Sequence, residues 1–525
     1  MRRKQLFAAL AVLSSLIMAT TNRSSEPASA CIYSSLWGTN GEKWDERGRL
    51  PDFSYAGYHA GESQIPAEKP KWDLKRDFKA AGDGRTDDSA ALLKALTTVR
   101  DGVLFIPKGT YVISKRFEIN RGNIVIRGAG AGETILFFPN SLQDLFGNTA
   151  KGSEQSQWSF RPGLINVSGQ DPINDQTRLA KVTSAASRGS KSLELSNPVS
   201  LKKGEWIRLV ESDPSKEAPN TGSLMKHLYG DLMPSGSDLL GTSSVVRFLS
   251  RVKRTSGKTI ELERPLPYDI RAEWSPEIHK FTPSVTEVGI EKLSIHFPWS
   301  PYPGHFKEKG YNAIFIQNVS QCWIDEVEIQ NSDFGVDLNS TNFCTVRKVT
   351  LTTSESRAVG EGGRDGNGHH GIDISHGTEN LVTDFDVRTK FVHDISVEWY
   401  ALHSVFANGR GIDLNMDHHR EANYSSLFSN LDCGACTRPF NSGGSGNRGA
   451  HSGAYSTFWN VSGGSPIQLP PSDFGPLLNF VGLNLKDEQK LSSYQWQIDS
   501  TGTTGVCPRD LHDAMKARRL NRHDH

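Results

Sequence analysis

The sequence predicts an all-β fold: a single-stranded parallel β-helix with an N-terminal capping helix and a small β insertion. Three observations carry that expectation. A short phrase recurs as Gly335-Val336-Asp337-Leu338-Asn339, Gly371-Ile372-Asp373-Ile374-Ser375, Phe391-Val392-His393-Asp394-Ile395 and Gly411-Ile412-Asp413-Leu414-Asn415. Its step is 20 residues from Gly371 to Phe391 and again to Gly411, and 22 from Ala313 to Gly335, a period that belongs to solenoids. A second apolar phrase follows about ten residues later, at 322–327, 344–349 and 381–387, so two strands per coil are visible. The 49 glycines suit a turn-rich β protein.

Side chains alternate along a strand, which places Val336, Leu338, Ile372, Ile374, Ile412 and Leu414 inside the coil. Asp337, Asp373 and Asp413 then face outward. With Ile395 and Val397 inside, Asp394 is expected in the same outward column. Coils stacked at about 4.8 Å would hold these carboxylates where like charges resist joint ionisation. Such a column needs cations, basic neighbours or protons.

At the amino terminus, Met1-Arg2-Arg3-Lys4, an apolar run from Leu6 to Met18 and Ala28-Ser29-Ala30 read as a signal peptide over residues 1–30. The mature chain is expected to start near Cys31 and to be secreted, extracellular or periplasmic. Lipidation of Cys31 is the alternative. Nothing else approaches the roughly 20 apolar residues of a membrane helix. Residues 31–150 are expected to hold an N-terminal segment, a capping helix begun by Asp87 or Asp88, and the first coils. Leu92, Leu93, Leu96 and Val99 give that helix its apolar face. The period is lost over 151–285, a β-rich insertion; coils with the site occupy 286–490, and a tail with a final helix occupies 491–525.

Lys and Arg number 59, as do Asp and Glu, which gives no basic footprint for nucleic acid. The protein is expected to be a monomer or small homo-oligomer. Of six cysteines, Cys322 and Cys344 occupy adjacent coils as a disulfide or as two buried thiols, while Cys433 and Cys436 suggest a structural bridge, with Cys507 a candidate partner.

The run from Asp77 to Ser89, then Ile106-Pro107-Lys108-Gly109-Thr110-Tyr111 and Gly128-Ala129-Gly130, resembles the amino-terminal signature of the pectate-lyase superfamily. That resemblance implies a right-handed parallel β-helix, and a polysaccharide lyase, glycoside hydrolase, epimerase or tailspike. It speaks for the fold more than the substrate. The motif set of polygalacturonase-like hydrolases is missing; Gly368-His369-His370-Gly371 echoes one member. Trp323-Ile324-Asp325-Glu326 keeps three residues of a Trp-Ile-Asp-His phrase found in calcium-dependent pectate lyases. The stretches 417–420 and 448–453 resemble a carboxy-terminal module of β-helix polysaccharide-degrading proteins.

Eight of the 16 histidines fall between His369 and His451, on the coils that carry the aspartates. The expected catalytic groups are His418, His419, Arg420, Arg448, His451, Asp373, Asp394 and Asp413. His369, His370, His376, Asp417, Trp399 and Tyr400 are expected to bind substrate, and Trp459 is a further aromatic that could stack on a sugar. In the leading reading a uronate polymer is cleaved by β-elimination, with Arg420, Arg448 or a Ca²⁺ held by the aspartates neutralising the carboxylate and a histidine acting as base. A glycoside hydrolase using Asp373 with Asp394 or Asp413 is the alternative, and a non-catalytic carbohydrate-binding β-helix is a third.

Overall fold

The computed structural model describes residues 31–148, 155–212, 224–229, 232, 245–358, 366–486, 495–499, 502 and 504–523. The expected signal peptide lies outside these residues.

Apolar alternation in each repeat winds the chain into coils whose strands pair in parallel with the coils above and below. One sheet carries the site and consists of β1 (Phe117–Ile119), β2 (Ile165–Ser168), β3 (Asn312–Gln317), β4 (Phe334–Asn339), β5 (His370–Ser375), β6 (His393–Glu398) and β7 (Met416–His418), adjacent in that order. On another side Val288–His296 stacks on Trp323–Gln330, followed by Thr345–Arg347, Leu381–Thr383, Val405–Ala407, Leu427–Ser429, Thr457–Trp459 and Asn479–Val481. One continuous apolar core runs through the coils, Val336, Ile372 and Ile395 among its members. Phe406, Phe428, Phe458 and Phe480 stack inside it with centroids 5.3, 5.3 and 5.1 Å apart.

Helix α1 (Ser89–Thr98) buries Leu92 and Leu96 against the first coil. Asp88 holds its N-cap position, but the carboxylate turns back to accept from Ala81 and Gly82 N–H, while Asp87 accepts from Ser89 N–H at 3.0 Å. Between the early and late coils lies an antiparallel six-stranded sheet spanning Arg178–Lys181 to Glu277–Lys280. Its apolar face packs on Leu402, Ala422 and Tyr424 of the coils, so the insertion braces the corner beside the site. Helix α2 (Leu511–His523) covers Trp459 and Phe53 with Leu511 and Met515. Arg519 on this helix is buried: it stacks on Tyr55 at 4.1 Å and donates to Ser54.

Cys31 bridges Cys507 across the two ends of the chain, and Cys433 bridges Cys436. The first bridge occupies the sulfur that lipidation of Cys31 would need. Cys322 and Cys344 are buried free thiols.

The recurring phrase overstates the repeat at one place. Arg410 and Gly411 pair with Asp386 and Val387 on a different sheet, and Met416, not Leu414, sits beside Ile395. Ile412, expected inside, is 51% exposed. A period of two is unchanged by a slip of four residues, so the alternation could not reveal it.

Candidate active site

Register in the site sheet sets the site. Asp337, Asp373, Ser396 and Asp417 are direct partners on β4 to β7; Asn339, Ser375 and Glu398 form a parallel row, and Phe334, His370 and His393 another. Two expected members of the acidic column are therefore absent. Asp394 sits beside Gly371, and its carboxylate accepts from the N–H groups of Phe391 and Asn415 and pairs with Arg438 at 2.7 Å. Asp413 pairs with Lys390 at 2.9 Å and accepts from Thr437. Both hold loops together; a cavity of about 380 Å³ bounded by Lys390, His393, Asp413 and Arg438 opens beside them. At Gly371 the coils come so close that an added Cβ would lie 2.3 Å from the Asp394 carbonyl.

The column has the cation it requires. Arg161, from the segment entering β2, donates to Asp337 at 2.7 Å and to Ser375 at 2.6 Å, and lies 3.7 Å from Glu398. Burial and the neighbouring Glu398 and Asp337 carboxylates push Asp373 well above the carboxylate range. Burial also raises Asp337 and Glu398, partly offset by Arg161 and, for Glu398, by His419. Asp417 behaves oppositely. Burial works to raise it, but His393 at 3.0 Å and His419 at 2.8 Å outweigh that and hold it well below its ordinary value. Gly443 N–H and Ser396 Oγ also donate to it. His419 is pushed up to about 9 because Asp417 and Glu398 overcome its burial.

Above this floor lies a nest of imidazoles. His369 and His370 have ring centroids 4.3 Å apart, His370 and His393 4.6 Å, His393 and His419 4.8 Å, and His305 and His369 4.6 Å. Burial and mutual proximity lower His369 and His370 well below the ordinary imidazole value. Phe160 and Phe306, both exposed, edge the nest.

Other expected site residues fall elsewhere. His418 is the partner of Val397 and turns inward, among Phe428, Phe458 and Phe474; its Nδ1 lies 3.0 Å from Asn423 and burial lowers it to about 4. His451 donates to the His418 carbonyl at 3.1 Å, accepts from Arg420 at 3.0 Å and lies on Phe474. Arg420 also donates to Gly449 O. His418, Arg420 and His451 thus brace the corner rather than face a ligand. Arg448 pairs with Glu421 and lies 4.8 Å over Trp399, whose other neighbour is His376, stacked at 5.4 Å. Tyr400 is next to His376 at 6.2 Å. Trp459 is fully buried, donating to Pro508 O, and offers no surface to a sugar. Sequence reasoning missed Arg161, His305 and Glu398. Only Glu398 carried a signal, two outward positions past Asp394 on the same strand.

The column does not fit Ca²⁺, which takes six to eight oxygens. Asp337 is occupied by Arg161, and among the described residues every group of three or more ligands close enough for one metal ion contains histidine.

Residues 75–239 match the family described as Rhamnogalacturonase A/epimerase, pectate lyase-like. Parallel coils stack within that segment and continue after it, so the chain resembles the pectate lyase-like β-helix superfamily. Within it, a 70-residue stretch is 36% identical to alginate lyase 7 of Azotobacter vinelandii, covering 12% of this chain and 8% of that protein. Among solved structures, the tailspike gp49 from Pseudomonas phage LKA1 is 12% identical at a TM-score of 0.46, covering 78% of this chain and 70% of the tailspike. The alginate lyase from Paenibacillus sp. str. FPU-7 is 9% identical at 0.34, covering 79% and 97%. At such scores the likeness carries nothing about activity.

Proposed function

We propose that this is a secreted enzyme that cleaves an acidic polysaccharide by β-elimination beside a uronate carboxylate. The observation that supports it best is where the site's charges meet solvent. The side chains of Arg161 and Arg448 are 34% and 32% exposed, whereas that of Asp337 is 3% and that of Glu398 9% exposed. A ligand arriving here meets cations first, and a guanidinium fork suits a sugar carboxylate. In this reading Arg161 and Arg448 neutralise the carboxylate. Glu398, whose raised pKa makes it a better base, takes the proton from the adjacent carbon. A carbon–carbon double bond forms as the glycosidic C–O bond breaks, and the leaving oxygen takes a proton from the protonated Asp373. The short identity with a protein named as an alginate lyase agrees with this chemistry. Two disulfides support an oxidising compartment, hence secretion.

One observation favours hydrolysis as a second reading: Asp337 and Asp373 stand on successive coils with burial and acidic neighbours keeping one protonated. Incubation of the purified protein with alginate, pectate and a neutral glucan separates the two. Elimination yields a product absorbing in the near ultraviolet, lost in Arg161→Ala and Glu398→Gln. New reducing ends without that absorbance would replace the lyase reading with hydrolysis.

A further inference from the structure

We propose that His305, His369 and His393 form a binding site for one divalent transition-metal ion of the zinc class. The proposal stands apart from the cleavage chemistry above, which uses none of these three residues. One ligand atom from each lies within 4.8 Å of the other two, close enough for one ion to reach all three. His305 comes from the loop between Val288–His296 and β3, His369 from the residue before β5, and His393 from the start of β6. Three segments distant in sequence thus deliver imidazoles to one point.

The ring of His369 is oriented as a ligand would be. Its Nδ1 lies 2.8 Å from the Ser159 carbonyl, which can only accept, so Nδ1 carries the proton and Nε2 presents a lone pair. Glu308 stands 3.6 Å from the same Nδ1, fixed by Tyr302 O–H at 2.6 Å. Yet His369 Nε2 is buried with no hydrogen-bond partner among the described residues, although an orphaned buried polar atom costs about 1–3 kcal/mol. A metal ion would satisfy it. A histidine ligand whose second nitrogen donates to a carbonyl or carboxylate is the usual support of a metal site. The Asp417 carboxylate lies 3.0 Å from His393 Nδ1. His305 is half-buried, while His369 and His393 are buried.

The other groupings are weaker. His393, Asp417 and His419 also lie within reach of one ion, but the Asp417 carboxylate already receives Gly443 N–H, Ser396 Oγ and His419. In the group of Asp510, His512 and Asp513, Asp510 accepts from Asn408, Ser429 and His512 N–H, and His512 Nε2 contacts the Ala56 carbonyl. All-imidazole donors select zinc, nickel, copper or cobalt over calcium and magnesium, and three protein ligands leave a fourth tetrahedral position open.

Full-length protein stripped with a chelator and titrated with Co²⁺ is expected to develop the visible absorption of a nitrogen-ligated cobalt ion, saturating at one ion per chain. Zn²⁺ should displace it, and Ca²⁺ and Mg²⁺ should not. His305→Ala and His369→Ala, checked for native circular dichroism, should lose that band. Glu308→Gln should weaken binding by roughly ten- to a hundredfold. His279→Ala, on the insertion, should bind as the parent does. The titration needs only the unmodified protein, so a variant that fails to fold does not obscure the result. No Co²⁺ or Zn²⁺ above the buffer blank, displacement by Ca²⁺, or equal binding by a folded His305→Ala/His369→Ala variant would overturn the site. Polyuronate cleavage is scored separately on Arg161 and Glu398, so either idea can fail alone.

Discussion

Two neighbouring corners of the β-helix use the same residue type in opposite ways. At one, His369, His370 and His393 gather outside the coil above the acids of β4 to β7. At the other, His418 and His451 are tied into the packing, one among phenylalanines and the other bonded to the first one's carbonyl. Composition concentrates the histidines on these coils; place along the strand sorts them, since His370 and His393 share the parity of the inward Ile372 and Ile395 but lie at the strand starts. His370 and His393 stack in the row that begins with Phe334, whereas His418 takes the inward position beside Val397. Charge follows the same division. The outer corner holds Asp337, Asp373, Glu398 and Asp417 against Arg161 and His419, and the inner corner keeps its imidazoles neutral.

Removing Arg161 should have the largest effect. Arg161→Ala takes an accessible cation from the groove and strips Asp337 of its partner. Turnover of a polyuronate should fall roughly a hundred- to a thousandfold, the usual cost of losing a charge-stabilising donor. Glu398→Gln should lower turnover by no more than that, about 10²–10³. It should also leave thermal stability unchanged or improved, because the amide no longer repels Asp337. A variant that keeps turnover would deprive the outer corner of its assigned role.

Asp373 gives the outer corner a pH signature. Its folded-state pKa lies above the unfolded value of 3.8, so between the two the folded chain binds more protons than the unfolded one. The stability this confers is complete below 3.8 and is lost as pH rises through the folded value. Asp373→Asn should therefore be as stable as the parent, or more so, at pH 7, and the difference should vanish toward pH 3, as measured by denaturant unfolding. A large loss of stability at pH 7 would mean the carboxylate is ionised and satisfied.

The inner corner should respond with the opposite sign. Burial lowers His418 from 6.5 to about 4, with Asp417 and His451 facing it. Its contribution to stability is full above 6.5 and is lost as pH falls toward 4. His418→Phe should flatten that acid limb and leave turnover unchanged. His418→Ala should cost roughly 2–5 kcal/mol by opening a cavity among the phenylalanines. If a folded His418→Phe variant lost turnover, the two corners would not be functionally distinct.

The repeat made the fold legible because an apolar period of two within a coil period of 20 to 22 residues has few other solutions. It made the outward face of Asp337 and Asp373 legible for the same reason. Height along the strand was not. Asp394 and Asp413 share the outward parity of Asp373, and only the backbone pairing shows that Ser396 and Asp417 occupy its row. Arg161, His305 and Glu308 lie outside the strands of the repeat, where no pattern links a residue to a coil, so tertiary approach alone reveals them. Histidine density singled out these coils but could not separate His393, in the nest, from His418, in the core.

Trp399 tests how far the outer corner extends, with the smallest expected effect. An aromatic ring beside a glycan groove invites assignment as a sugar platform, yet His376 is stacked on it at 5.4 Å and Arg448 lies 4.8 Å over it. Its contribution is then to hold Arg448 in place, and an exposed cation–π contact is worth about 0.5–1 kcal/mol. Trp399→Ala should raise KM about two- to fivefold with kcat unchanged, by that same energy. Trp399→Phe, which keeps a ring under the guanidinium, should recover most of the loss. In an Arg448→Ala background, Trp399→Ala should add nothing further, because the contact it supports is already gone. An additive double variant would show instead that the indole meets the sugar directly, and the groove would then reach past Arg448.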